Sequence, residues 1–377
     1  MNKDTNFYTK TKGYVYRKTT LGLTSLSIVF PIGSGYETVG KRGISHLMEH
    51  LITKPIDKFN TFFTENCIDY NACTTRNYVI VYFRGLEERL NPEVKQKLID
   101  ATLHGFDYVT KSMFEVEKKI VLQELGDAYA DPFSGNLINI LYSRFRVHDP
   151  TGFVRDIKQF TYEDAKKMAR DFFTKPIRIV DIANQKTEYK NVEYVKQVFK
   201  PKKIKYRVFN REILPVQEFD KSCVYLIGKK PVNKLDYIYV TMGMEMLASG
   251  LESPLFQEFR EKTGLCYDIN YDVDYVTHNS ILWVGMITDK ENVAEVTSRL
   301  SSVAKNIRKF LSPERFNSIK NQFTIYNEIR HILRYSKNTA LLEAEIPEFS
   351  NRLDSITYEK LCDIMESAFY DVEIVVK

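Results

Sequence analysis

The stretch Gly43-Ile44-Ser45-His46-Leu47-Met48-Glu49-His50-Leu51 places two of the chain's six histidines in one pentapeptide, His-x-x-Glu-His. Residues four apart on a helix stand on the same face one turn apart, so His46 and His50 would point the same way. Glu49 borders that face. Two imidazoles with a carboxylate beside them suit a zinc ion held by nitrogen ligands, with an acid–base group next to the water it activates. A helical histidine pair can equally be a satisfied surface or core feature, so the rest of the chain has to supply what a metal site lacks.

Two carboxylates further along the chain share one helical stripe, although a lone glutamate is more often a solvated surface residue. Glu117 and Glu124 lie seven apart, two helical turns, in a stretch expected to be helical over 112–125. Ser112 is its expected N-cap, with Glu115 three residues later as in a capping box. Ile120 and Val121 lie between the two acids, and Glu124 is flanked by Val121, Leu122 and Leu125. Carboxylates on a largely apolar face are costly to bury unless they are paired or bind metal.

The elements that would carry these residues can be read in outline. Strands are expected at 14–16 and 23–30, and the His-x-x-Glu-His helix at 44–53, ended by Pro55. A short helix at 58–65 precedes 71–83, which alternates and reads as a strand or hairpin. Helices are expected at 92–109 and, with a loop between them, within 132–173; a strand follows at 177–182. His148, in that loop, reads as a structural hydrogen-bonder. The second half repeats the order: strand 223–227, helices 237–248 and 254–261, a β-rich stretch over 267–286, helices 290–310, 313–336 and 358–369, and a strand at 372–376. Residues 185–221 carry Lys196, Lys200, Lys202, Lys203 and Lys205 with Pro201 and Pro215, and read as a linker.

Composition narrows the functional classes. A chain of 377 residues allows two domains, and 44% hydrophobic with 27% charged residues is ordinary for a soluble globular protein. The net charge of +5 comes with no nucleic-acid-binding motif, so no nucleic-acid partner is expected. The lysine run at 196–205 reads as a solvated face; steep salt dependence of binding to polyanions would be needed to favour a polyanion or membrane-surface role. Cys67, Cys73, Cys223, Cys266 and Cys362 are odd in number and scattered, which reads as reduced, buried thiols. No run approaches the roughly 20 apolar residues of a membrane span. A soluble intracellular, cytoplasmic protein is expected.

With these residues in view, the sequence resembles the insulinase/pitrilysin family of zinc metallopeptidases. It is similar to the half-length branch that includes mitochondrial processing peptidase. Gly43 with His46-x-x-Glu49-His50 resembles the family's inverted zinc motif. Glu124, 74 positions after His50, stands in Glu117-Lys118-Lys119-Ile120-Val121-Leu122-Gln123-Glu124, similar to the family's Glu-Lys-x-x-Val-x-x-Glu. Asn71-Ala72-x-Thr74 resembles the strand start that lies along the substrate. Arg260-Glu261-Lys262-Thr263-Gly264-Leu265-Cys266-Tyr267 resembles the motif of the non-zinc domain. The family often has glycines before Asn-Ala; Asp69 and Tyr70 stand there instead.

The resemblance implies an α+β fold of two homologous domains, each a mostly antiparallel sheet packed by helices. The expected division is a zinc-binding domain at 1–185, a linker at 186–221 and a second domain at 222–377. It implies one zinc ion per chain on His46, His50 and Glu124, with Glu117 supporting the ligands. Glu49 would be the base, Tyr267 and Arg260 would act on the substrate from the second domain, and Asn71 and Ala72 would bind it. The implied activity is zinc-dependent endopeptidase cleavage of short or unfolded peptides, in a chamber closed by a homodimer or by a heterodimer with a related subunit. A non-catalytic structural subunit of such a heterodimer is the alternative.

Overall fold

The computed structural model describes residues 13–145, 149–174, 177–190, 192–194, 216, 219–231, 234–276, 279–328 and 353–377. His148, the lysine run at 196–205 and the end of the helix expected over 313–336 lie outside the described residues. The chain forms two compact units. One comprises Met1–Gly126, His148–Ile204 and Ile325–Phe349, the other Asp127–Val147, Lys205–Thr324 and Ser350–Lys377.

In the first half of the chain the elements are β1 (Gly13–Lys18), β2 (Leu23–Phe30), α1 (Ile44–Thr53), α2 (Asn60–Glu65), β3 (Asp69–Thr74), β4 (Val79–Leu86), α3 (Pro92–Leu103), α4 (Lys111–Ala130), α5 (Pro132–Phe145), α6 (Val154–Gln159), α7 (Tyr162–Thr174), β5 (Arg178–Ala183) and β6 (Glu193–Tyr194). The sheet of the first unit runs β3-β4-β2-β5-β1-β6. β2 is antiparallel to β4 and β5, while β1 lies parallel to β5 and β6. Leu26, Ile28, Val29 and Phe30 of β2 are all fully buried. Thr24, Ser25 and Ser27 between and before them are buried too, so both faces of the strand are covered. β3 is the edge strand, paired through Thr74↔Val79 and Asp69↔Arg84, so the alternating stretch 71–83 is a hairpin.

Two expectations change at the helices. The helix expected over 92–109 stops at Leu103 and continues as a 3-10 turn, Gly105–Tyr108. Gly105 lies against the backbone of α1, where an added Cβ would stand 2.2 Å from the Ile52 carbonyl oxygen, so the chain must turn here with a residue that has no side chain. The helix expected to start at Ser112 starts at Lys111. Its cap is Thr110, whose hydroxyl accepts from the Met113 N–H at 3.2 Å, while Ser112 bonds only the Thr110 hydroxyl at 2.9 Å. α4 then runs to Ala130, past the expected end at 125.

The second half continues with β7 (Ser222–Pro231), α8 (Lys234–Ala248), α9 (Pro254–Phe256) leading into a π-helical turn at Gln257–Glu261, β8 (Ile269–Val276), β9 (Asn279–Thr288), α10 (Val293–Lys305), α11 (Pro313–Glu328), α12 (Tyr358–Phe369) and β10 (Glu373–Val376). Its antiparallel sheet runs β10-β7-β9-β8. α5, from the chain's first half, covers this second sheet: Leu137, Ile140 and Leu141 pack with Cys223, Tyr225, Ile227 and Ile281. The order strand, helix, hairpin, helices, strand recurs in both units, and the fold is α+β, as expected from the sequence.

All five cysteines are free. Cys223, Cys266 and Cys362 are buried as expected, but Cys67 is exposed and Cys73 is half-buried. Among the described residues, no helix is long and apolar enough to cross a membrane.

Candidate metal centre

α1 begins on an unusual footing. Its N-cap, Gly43, has φ 95° and no side chain with which to cap. Glu37 takes that role, its two carboxylate oxygens accepting from Gly43 N at 2.7 Å and Ser45 N at 2.8 Å. An anion suits the free N–H groups and positive end of a helix. Burial pushes the Glu37 carboxyl up to about 7, against the pull of the two backbone donors. Arg42 sits just before this turn in a buried fork with Asp156, Nε to Oδ2 at 2.7 Å and Nη2 to Oδ1 at 3.0 Å.

These contacts fix the start of the histidine helix, and they make Gly43 hard to replace. A Cβ at Gly43 would stand 2.8 Å from Ile157 Cδ1 and 3.0 Å from Gly152 Cα, in a backbone conformation that favours glycine. Gly43→Ala is expected to lower folding stability by about 1–3 kcal/mol, read as a fall in the midpoint of thermal or urea unfolding.

The helix then presents its site. His46 Nε2 and His50 Nε2 lie 3.3 Å apart. Glu124 Oε2, from α4, lies 3.3 Å from the first and 3.5 Å from the second. His46, His50 and Glu124 form the cluster among the described residues whose ligand atoms could hold one metal ion. Atoms bound tetrahedrally at about 2.0–2.1 Å stand about 3.3–3.4 Å apart, so the three edges fit a zinc ion.

The other ring nitrogens are taken. His50 Nδ1 lies 3.1 Å from Glu117 Oε2, and His46 Nδ1 lies 3.4 Å from the Thr151 carbonyl oxygen. Both partners are acceptors, so a neutral imidazole would carry its proton on Nδ1 and leave the Nε2 lone pair for the shared point. Two lone pairs and a carboxylate then face one another, an arrangement that a cation or a proton relieves. Burial works against a charged His46, yet with a proton on Nε2 it would hydrogen-bond Glu124, and this bond and the charge of Glu49 raise its pKa above the ordinary value. The same hydrogen bond holds the Glu124 carboxyl below its usual range.

Glu49 is turned elsewhere. Its Oε2 accepts from the Thr74 hydroxyl at 2.6 Å, which ties α1 to the last residue of β3. Burial pushes its carboxyl up, with His46 and Thr74 pulling the other way. A base raised toward neutrality is a better proton acceptor at neutral pH. On the same strand the Asn71 side chain accepts from the Ala72 N–H at 2.8 Å.

Arg260 and Tyr267 come together in the second unit. Arg260 Cζ lies 4.7 Å from the Phe256 ring and 4.5 Å from the Tyr267 ring, a cation held between two aromatic faces. The π-helical turn carries the arginine, and Ser253 caps the helix before it, accepting from Phe256 N at 3.4 Å. Tyr267 is 79% exposed.

The family model described as "Insulinase (Peptidase family M16)" matches residues 16–151, and the one described as "Peptidase M16 inactive domain" matches residues 159–323. The chain belongs to peptidase family M16. Among its relatives is an uncharacterized zinc protease of Bacillus subtilis, YmxG, 21% identical over 93% of this chain and 91% of its own length. An uncharacterized zinc protease of Streptomyces coelicolor is 24% identical over 63% of this chain; the match spans 57% of that relative's length. Solved structures share the fold. A protease from Helicobacter pylori superposes with a TM-score of 0.74 at 17% identity, covering 98% of both chains. A Pseudomonas fluorescens structure described as a peptidase M16 inactive domain gives 0.71 at 13% identity, covering 96% of this chain and 94% of its own.

Around the motifs that marked the chain as an M16 member stand residues that sequence reasoning did not assign to the site. Glu37 caps the helix, Thr151 meets His46, and Lys54 meets Glu117. Thr74 was visible within Asn71-Ala72-x-Thr74, but its bond to Glu49 depends on how the hairpin lies against α1. Lys54 is one turn past His50, a spacing that could have flagged it.

Proposed function

We propose that this chain is a zinc-dependent endopeptidase acting on short or unfolded peptides. The observation that carries the reading is the convergence of His46 Nε2, His50 Nε2 and Glu124 Oε2 at tetrahedral-edge spacing, with Glu49 held beside them by Thr74. His46, His50 and Glu124 would hold one zinc ion, with Glu117 fixing the tautomer and orientation of His50. Bound zinc supplies a Lewis acid and lowers the pKa of water from about 15.7 toward about 7. Glu49 takes a proton from the attacking water and delivers it to the departing amine. Arg260 and Tyr267 bind and polarise the substrate carbonyl. β3, an edge strand, accepts an extended peptide by backbone pairing, with Asn71 and Ala72 along its path.

The test is metal content together with cleavage of a quenched, unstructured peptide by the native protein. One zinc per chain with cleavage supports the reading; carefully prepared protein that takes up no zinc overturns it. The match of residues 159–323 to a model described as an inactive domain allows a second reading, a non-catalytic subunit of a heterodimer. Zinc without cleavage until a related subunit is added would favour that one.

On the peptidase reading, one zinc unit and one Arg260/Tyr267 unit per chain make a chamber from two chains, a homodimer or a heterodimer. Size-exclusion chromatography with light scattering on active protein is expected to give a dimer, and an active monomer would overturn the shared chamber.

A further inference from the structure

His46, His50 and Lys54 follow one another at intervals of four, so they form one stripe along α1 and its C-cap residue. Glu124 and Glu117 form an answering stripe on α4. The pairs run in opposite chain directions. His46 meets Glu124 at 3.3 Å, His50 meets Glu124 at 3.5 Å and Glu117 at 3.1 Å, and Lys54 meets Glu117 at 2.8 Å. Glu117 therefore divides its carboxylate, Oε2 to His50 Nδ1 and Oε1 to Lys54 Nζ.

The Glu117 side chain is only 5% exposed, so water is a poor substitute for either partner. A buried carboxylate is stable only when it is paired and hydrogen-bonded. Lys54 is itself held from behind. Asp57 Oδ2 lies 3.2 Å from its Nζ, and Asp57 Oδ1 accepts from the Tyr70 hydroxyl at 3.1 Å. Tyr70, on β3, stacks on Phe83 with ring centroids 5.9 Å apart. The chain of contacts thus runs from the edge strand through Tyr70, Asp57, Lys54 and Glu117 to His50.

We propose that Lys54 is a positioning residue for the metal centre. It locks the Glu117 carboxylate in the one orientation that presents Oε2 to His50 Nδ1, and Asp57 and Tyr70 lock Lys54. The inference rests on the proposed zinc site. Solvent-exposed ion pairs are worth little, but this one ends on a buried acid whose second oxygen orients a ligand. Outer partners of metal-ligating histidines typically contribute 10–100-fold to metal affinity. Lys54 stands one contact further out, which places it at the low end of that range.

The test is zinc affinity, read by competition with a chromogenic chelator on the full chain, for the native protein, Lys54→Met, Lys54→Arg, Glu117→Gln and the Lys54→Met/Glu117→Gln double variant. Lys54→Met is expected to weaken zinc binding about tenfold. Lys54→Arg is expected to stay near native, since it keeps the charge and the donors. In the double variant, Lys54→Met is expected to add nothing to Glu117→Gln, because its effect passes through that carboxylate. Should Lys54→Met fail to fold by circular dichroism, Lys54→Gln carries the same comparison. Native-like zinc affinity in Lys54→Met, or effects that multiply in the double variant, would overturn the inference while leaving the zinc site standing. Absence of zinc binding by the native chain would overturn both.

Discussion

Glu49→Gln is expected to lower peptide cleavage about 10³-fold and to leave zinc bound at the native stoichiometry. The two effects separate because Glu49 shares a helix with His46 and His50 but does not share their target. Its Oε2 is 2.6 Å from the Thr74 hydroxyl, and the oxygen facing the histidines belongs to Glu124. Glutamine keeps the shape and an oxygen that can accept from Thr74. On the proposed mechanism it removes the basic oxygen that would move a proton between water and the leaving amine. Burial raises the pKa of Glu49, which suits a base working near neutral pH. Metal analysis and steady-state cleavage of one quenched peptide, on native and variant protein together, decide the matter. Cleavage that survives would remove Glu49 from the role of base. Zinc lost with activity would make it a ligand or a determinant of the ligands' geometry.

The parts of the fold legible in the sequence are those set by local periodicity. Spacing of four in α1 and seven in α4 puts each set of polar residues on one stripe whatever surrounds the helices. The β-branched and aromatic residues of 23–30 announce a strand, but the burial of Thr24, Ser25 and Ser27 on it is visible only in the fold. What stayed hidden depends on contacts between distant segments. The turn after Leu103 exists because Gly105 meets the backbone at Ile52, about fifty residues earlier in the chain. The cap of α4 is Thr110 rather than Ser112 because two neighbouring hydroxyls compete for the same N–H groups and only the three-dimensional path of the chain chooses. Nothing in residues 132–145 alone says that α5 covers the second sheet; its apolar face would suit either. The Thr74 bond to Glu49 likewise follows from the β3–β4 hairpin lying against α1.

Lys95 is the most hidden of these residues, and its replacement is expected to be the most destabilising. Lys95 and Lys97 look alike in the sequence, two residues apart on α3. Lys97 pairs with Glu93 at the surface, its side chain 60% exposed. Lys95 is 2% exposed and its Nζ lies 2.6 Å from Asp181 Oδ1, which is fully buried on β5. Asp181 Oδ2 accepts from the Tyr14 and Tyr189 hydroxyls at 3.0 and 2.8 Å, and Lys95 also reaches the Thr24 hydroxyl. Burial first, then the charge of Asp181, raises the pKa of both phenols and keeps them protonated as donors. Lys95→Met would leave the buried aspartate without its counter-charge, a change that costs about 3–5 kcal/mol. For a domain of this size the unfolding midpoint would fall by roughly 6–20 °C. Lys97→Met, the matched surface change, is expected to cost about 0.5 kcal/mol or less. Equal, small losses for the two lysines in thermal or urea unfolding would show that the buried pair is not a keystone of the first sheet. Partial recovery on combining Lys95→Met with Asp181→Asn would locate the loss in the stranded charge, whereas a further fall would locate it in the packing and hydrogen bonds that Lys95 and Asp181 make together.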